Sequence, residues 1–269
     1  MDQIKRKGSK TIQGIPPEIL AQLNQGQIET ANLVEWLAID MEELLTTLLK
    51  QVDKIAYLAP TLQALKALKK PTITLKNATI GQVLLAEATK AKDEDLFVFL
   101  SQHPADMARC WATYMVGHNA ALSPTAQLQA IQVFAADTHF GVRETAWMAV
   151  RPTLISNLAL SLELLIPWTL HADANIRRFA TESTRPRGVW CAHIEVLKST
   201  PELALPILEN LRNDPAKYVQ DSVGNWLNDA SKTQPDFVRN LCDTWLAESN
   251  TKATAYIVKK ALRTVNGLQ

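Results

Sequence analysis

Six of the eleven arginines, Arg143, Arg151, Arg177, Arg178, Arg185 and Arg187, fall inside 45 residues that hold no lysine, with only Glu144, Glu163, Asp173 and Glu182 against them. A guanidinium is a planar fork that grips a phosphate through two parallel hydrogen bonds. Gathered on one face, such residues track a nucleic-acid backbone; turned toward neighbouring helices, they serve as ion pairs and interhelical braces. Lys217, Asn225 and Lys232 extend the polar set toward the carboxyl terminus.

Acids set among these cations point to a particular chemistry. A carboxylate facing DNA phosphates is repelled, so it is useful only where a positive charge arises that the backbone does not neutralise. A base alkylated at N3 or N7 is such a cation, and as its glycosidic bond breaks the deoxyribose gains oxocarbenium character at C1′. A fixed carboxylate stabilises that charge and orients or deprotonates water. Three acids have a spacing that suits this. Counted from Val142, Ile176 and Val219, the apolar anchors of an internal repeat, Glu144 lies at +2, Glu182 at +6 and Asp229 at +10. The offsets grow by about one turn per repeat, which places the acids roughly 200°, 240° and 280° around from their anchors, on a similar flank of consecutive helices. On an exposed flank the same acids would simply be solvated. Trp147 and Trp190 lie nearby and are candidates for stacking on a lesion or on the backbone, whereas Trp226 shares an apolar stripe with Val219, Val223, Leu227 and Ala230 and reads as packing.

Helices must carry these positions. Pro16 and Pro17 open a helix with Ile19, Leu20 and Leu23 at helical spacing, and apolar residues recur at three and four through Leu33–Ile39, Leu44–Leu49, Ile55–Leu68 and Val83–Leu85. Breaks are expected near Pro60, Pro71, Pro104, Pro124, Pro152, Pro167, Pro201, Pro215 and Pro235. Three segments superimpose: Asp137 to Arg143, Asp173 to Arg178 and Asp214 to Gln220, each an Asp suited to capping followed by a β-branched anchor and a polar residue. The anchors are 34 and 43 residues apart, close to the period of two-helix HEAT repeats. The reading is an all-α solenoid of HEAT-like repeats with a concave basic groove; an irregular helical bundle would also place such aspartates. Residues 1–15 read as a basic mobile arm and 16–269 as one HEAT-like domain.

Composition narrows the rest. Nine glycines in 269 residues argue against hairpin-rich and phosphate-loop folds, which need glycine at positive φ. With 28 Lys and Arg against 27 Asp and Glu, the chain is not a uniformly basic nucleic-acid binder, so any docking of a polyanion depends on local charge. There is no Gly-x-Ser-x-Gly, Walker loop, Gly-x-Gly-x-x-Gly or His-Glu-x-x-His. Three widely spaced cysteines and five scattered histidines suggest neither a disulfide framework nor a metal site. No metal, cofactor or membrane partner is expected, and the location expected is the cytoplasm.

Three stretches, His139-Phe-Gly-Val-Arg-Glu144, Arg177-Arg-Phe-Ala-Thr-Glu-Ser-Thr-Arg-Pro-Arg187 and Tyr218-Val-Gln-Asp-Ser-Val-Gly-Asn-Trp-Leu-Asn-Asp229-Ala-Ser-Lys232, together resemble the AlkC branch of the AlkC/AlkD alkylpurine DNA glycosylases. The likeness extends to Leu23–Ala38. It implies a HEAT-like solenoid that holds duplex DNA and a monofunctional glycosylase that removes cationic bases such as 3-methyladenine without metal or cofactor, reading bent DNA without drawing the base into a deep pocket. On that resemblance Glu144, Glu182 and Asp229 are the catalytic acids, with Glu182 and Asp229 flanking sugar and water and Glu144 assisting. Arg143, Arg151, Arg177, Arg178, Arg185, Arg187, Lys217, Asn225 and Lys232 are the DNA-binding set, and the expected partner is double-stranded DNA bearing alkylated bases, met by a monomer. Many AlkC-type proteins carry an immunoglobulin-like domain after the solenoid; here only helix-like sequence precedes Gln269, so none is expected, and the Lys5-Arg6-Lys7 arm becomes a further DNA-contact candidate or a solvated tail. A DNA-structure binder without glycosylase activity, or a HEAT scaffold for a protein partner, is the alternative.

Overall fold

A computed structural model describes residues 6–249 and 251–267. Every regular element among them is helical, and the chain divides into two compact units: Met1–Ala121 with Asp137–Ala149, and Leu122–Ala136 with Val150–Gln269.

The first unit contains α1 (Pro17–Asn24), α2 (Leu33–Ala38), α3 (Met41–Gln51), α4 (Leu58–Lys66), α5 (Ile73–Ala91), α6 (Asp95–Gln102) and α7 (Asp106–His118). Starts are set by side-chain caps: Asn32 accepts from Glu35 N, Asp40 from Glu42 N and Glu43 N, and Thr72 from Leu75 N. Leu44, Leu45, Leu48 and Leu49 of α3 and Ile80 and Leu84 of α5 are fully buried. The approach of α5 to α7 is close enough to require glycine, since a Cβ on Gly81 would lie 2.7 Å from the Trp111 carbonyl oxygen. Arg6 and Ser9 are tied down as well. Arg6 donates to both carboxylate oxygens of the buried Glu35 at 2.6 and 2.7 Å, and Asn32 Nδ2 donates to the Ser9 carbonyl. A guanidinium committed to a buried carboxylate is not an available DNA contact, so Arg6 is engaged within the protein, and Lys5 lies outside the described residues.

The second unit contains α8 (Pro124–Ala135), α10 (Leu158–Leu165), α11 (Ala174–Glu182), α12 (Glu195–Ser199), α13 (Leu205–Leu211), α14 (Lys217–Ser231), α15 (Pro235–Glu248) and α16 (Lys252–Ala261). Between α8 and α10, α9 (Phe140–Ser156) gives its first part to the first unit and its end to the second. Pro152 lies inside α9 and does not break it, contrary to the sequence expectation. Proline at Pro124, Pro201 and Pro235 sits in the first turn of its helix, where the missing N–H has no intrahelical partner to lose. α14 packs against α11 on one side and α16 on the other, with Val219, Val223, Trp226 and Leu227 wholly buried.

The repeat has a physical cause. Arg109 Nη1 donates to the carbonyls of His103 and Pro104, Arg143 Nη1 to those of Asp137 and Thr138, and Arg177 Nη1 to those of His171 and Ala172, in each case six and five residues back. The side chain thus ties down the turn that precedes its own helix. Arg109 and Arg177 then reach a later aspartate with two bonds each, Asp137 at 2.8 and 3.2 Å and Asp214 at 2.6 and 3.0 Å. Gln220 takes the equivalent place in the next repeat and donates to the Asp214 carbonyl, again six residues back. Asp137, Asp173 and Asp214 each accept the amide two residues on, so the aspartates expected to cap are real turn formers, although only Asp173 is the N-cap of its helix. Arg177→Ala should cost about 2 to 4 kcal/mol, because it leaves the buried Asp214 without its counter-charge. Urea unfolding of Arg177→Ala, Asp214→Ala and the double variant should show coupling; additive losses would mean that the pair is not the brace described.

Candidate active site

Glu182 is the last residue of α11 and Asp229 lies in the last turn of α14. A carboxylate at the negative pole of a helix is unfavourable, and both side chains are almost fully buried. Neither position serves helix stability. What makes them tolerable is Arg185, just past the end of α11, whose Nη1 donates to Glu182 Oε1 at 2.8 Å while Nε and Nη2 meet Asp229 Oδ2 at 2.9 and 2.8 Å. One guanidinium thus bridges the acids of two neighbouring repeats.

The remaining acid oxygens are also placed. Ser222 Oγ donates to Glu182 Oε2 at 2.7 Å and accepts from Thr181 Oγ1 at 2.8 Å. Arg178 Nη2 stands 3.5 Å from the same Oε2 and its guanidinium lies 4.3 Å from the centre of the Tyr218 ring. Asp229 Oδ1 is met by Lys232 Nζ at 3.3 Å, and Arg187 Nε donates to the Asp229 carbonyl at 3.3 Å. Burial pushes the Glu182 carboxyl up, but the charges of Arg178 and Arg185 and the bonds from Arg185 and Ser222 outweigh it and hold the group below its ordinary 4.5. Burial likewise pulls Arg185 down while Glu182 and Asp229 raise it further, so the guanidinium stays charged.

Several sequence assignments change. Arg151 is a core residue, with Nη1, Nη2 and Nε donating to the carbonyls of Ser183, Arg185 and Ala192 at 2.7, 2.6 and 3.0 Å. It fastens the segment that carries Arg185 and has no donor turned outward for DNA. Arg143 and Arg177 belong to the repeat braces, and Arg178 and Arg185 face the acids, so these guanidinium groups are engaged within the protein. Trp147 is buried and donates its Nε1 to Glu144 Oε2 at 2.9 Å, which removes it as a stacking surface. Trp190 is 61% exposed with φ of 60° and retains an open ring. Arg187 and Asn225 are half-buried, Lys232 is exposed, and Lys217 sits over the Tyr256 ring. Glu144 is half-buried in the first unit and stands outside the Arg185 bridge. Asp221, one turn before Asn225 on α14, binds Tyr256 and Lys260 and joins α14 to α16.

Ser222 and Thr181 escape a reading of the sequence alone. The signal is present for Ser222, seven residues before Asp229 and therefore on the same face of α14. Among the described residues no group of His, Cys, Asp and Glu has the arrangement of a metal site, and no helix is long and apolar enough to cross a membrane.

Linkage gives a sign for acid stability. Because the folded Glu182 carboxyl lies below its ordinary 4.5, its contribution is present above that value and is lost as pH falls through the folded value. Glu182→Gln should be less stable than the wild type near neutrality and should lose less stability on acidification. Urea midpoints between pH 3 and pH 7 check this; parallel curves for the two proteins would contradict it.

Residues 126–265 match the family described as DNA alkylation repair enzyme. The Pseudomonas fluorescens alkylpurine DNA glycosylase AlkC, solved bound to DNA containing an abasic site analogue, is similar with a TM-score of 0.67 at 21% identity, over 96% of this chain and 66% of that one. AlkD2 from Streptococcus mutans gives a TM-score of 0.56, also at 21% identity, over 77% of this chain and 97% of its own. At that identity the likeness is one of fold, the all-α helical-repeat fold. The Bacillus subtilis (strain 168) protein YhaZ is 41% identical over 121 residues, 45% of this chain and 33% of that protein. The chain spans about two thirds of the AlkC chain and about one third of YhaZ.

Proposed function

We propose, from the premise that this chain belongs to the AlkC/AlkD family of DNA alkylation repair enzymes, that it is a monofunctional glycosylase acting as a monomer on duplex DNA and releasing cationic alkylated bases, 3-methyladenine foremost. The observation that supports this reading is the pair of buried acids bridged by Arg185, with Glu182 held below its ordinary pKa. An ionised carboxylate in a poorly solvated site is an effective partner for a cation that forms during reaction.

In this mechanism the C1′–N bond breaks and its electron pair leaves with the base. A base that starts with a positive charge departs neutral, so no acid has to protonate it. Water attacks C1′, its oxygen forms the new bond, and its proton passes to a carboxylate. Asp229 is the acid best disposed for this: Oδ2 is locked by Arg185, whereas Oδ1 is covered only by the ammonium of Lys232, whose side chain is 40% exposed. Movement of Lys232 to a phosphate uncovers Oδ1. Glu182, bonded on both oxygens, stabilises charge without moving.

Duplex DNA treated with a methylating agent should release 3-methyladenine with the wild type. Asp229→Asn should lower the single-turnover rate by about 10²-fold or more, the scale for removing one preorganised electrostatic group, while affinity for an abasic-site duplex changes less than about threefold. Equal loss of rate and affinity would contradict a catalytic role for Asp229.

A further inference from the structure

The arginines expected to hold DNA are largely engaged inside the protein: Arg177 by an aspartate, Arg143 and Arg151 by carbonyls, Arg178 and Arg185 by Glu182 and Asp229. Further positive charge that could meet a polyanion lies elsewhere in the chain. Between residues 54 and 86 there are five lysines and no acid. Lys54 is paired with Asp93 at 2.9 Å. The other four, Lys66, Lys69, Lys70 and Lys76, fall within eleven residues at the turn from α4 into α5.

The first three are exposed and Lys76 half-buried, and none makes an ion pair among the described residues. Their charges are therefore unneutralised. Pro71 and the Thr72 cap hold the turn open to solvent, and the positive pole of a 19-residue helix adds to the lysine field. The opposite end of α5 is mixed in charge: Lys90 and Lys92 stand there beside Asp93, which binds Lys54 and Tyr57, and Glu94 and Asp95 follow. A cluster of ammonium groups with no acid in its stretch of chain is suited to a run of phosphates rather than to a single anion.

We propose that Lys66, Lys69, Lys70 and Lys76 form a second nucleic-acid docking surface, lying outside residues 126–265, that holds the phosphate backbone of duplex DNA away from the lesion and contributes affinity without sequence or damage selectivity. The inference rests on the glycosylase reading above. It assigns to the first unit a grip on flanking DNA and leaves the chemistry to the second.

The test is the salt dependence of binding to an undamaged duplex. Replacing the four lysines by glutamine should lower the slope of log K against log salt by about 0.9 for each phosphate that is no longer neutralised, and excision at saturating DNA should stay unchanged. The charge-conserving exchange to arginine should keep the wild-type slope. Lys50→Gln with Lys90→Gln, which removes charge at the other end of this unit, should leave the slope unaltered. An unchanged slope in the quadruple variant, or the same loss per charge in the control, would overturn the proposal. So would loss of binding to phosphatidylserine vesicles with the DNA slope intact. A wild type that neither binds DNA with a salt-dependent affinity nor excises would instead sink the glycosylase reading itself, which keeps the two failures apart.

Discussion

A carboxylate withdrawn from water must be given a counter-charge or it takes up a proton, and this constraint organises the second unit. Glu182 and Asp229 stand at the unfavourable ends of two packed helices, and Arg185 answers both at once. The guanidinium in turn has to be held at one height and angle. Arg151 does that from the core by binding the carbonyls on either side of it. Removing Arg151 would leave three carbonyls without donors and free the backbone that aims Arg185, so its influence on the site runs entirely through position.

The same economy of charge explains the repeat. Arginine is used where a fork must reach two carbonyls and an aspartate together, at Arg109, Arg143 and Arg177, which recur every 34 residues. Lysine, a mobile point charge on a well-hydrated stem, is kept at exposed sites such as Lys66, Lys69 and Lys70. A nearly neutral chain can therefore hold a rigid interior network of ion pairs and still present local cationic surface to a polyanion.

Much of this was legible in the sequence. Apolar spacing, glycine scarcity and the Asp-to-anchor repeat sufficed for an all-α helical-repeat fold, and the anchor arithmetic placed Glu182 and Asp229 on a common flank, where they do meet. Arginine roles were not legible, because the partner that decides between brace and phosphate contact lies 28 or 37 residues away, as Asp137 does for Arg109 and Asp214 for Arg177. Arg109, one period before Arg143, is not marked out by the repeat, since Ala108 makes a weak anchor beside Val142 and Ile176. Pro152 misled because proline rules concern an isolated helix, whereas the burial of Val150 and Leu154 on either side stabilises α9 across it.

The central claim is that Arg185 keeps the buried Glu182 carboxyl ionised while bridging it to Asp229. Carboxyl ¹³C shifts of Glu182, followed by NMR titration in the wild type and in Arg185→Met, test it most directly. The account predicts an inflexion below 4.5 in the wild type and a clear upward displacement once the guanidinium is gone. A wild-type inflexion above the ordinary glutamate value, or one indifferent to Arg185, would contradict it.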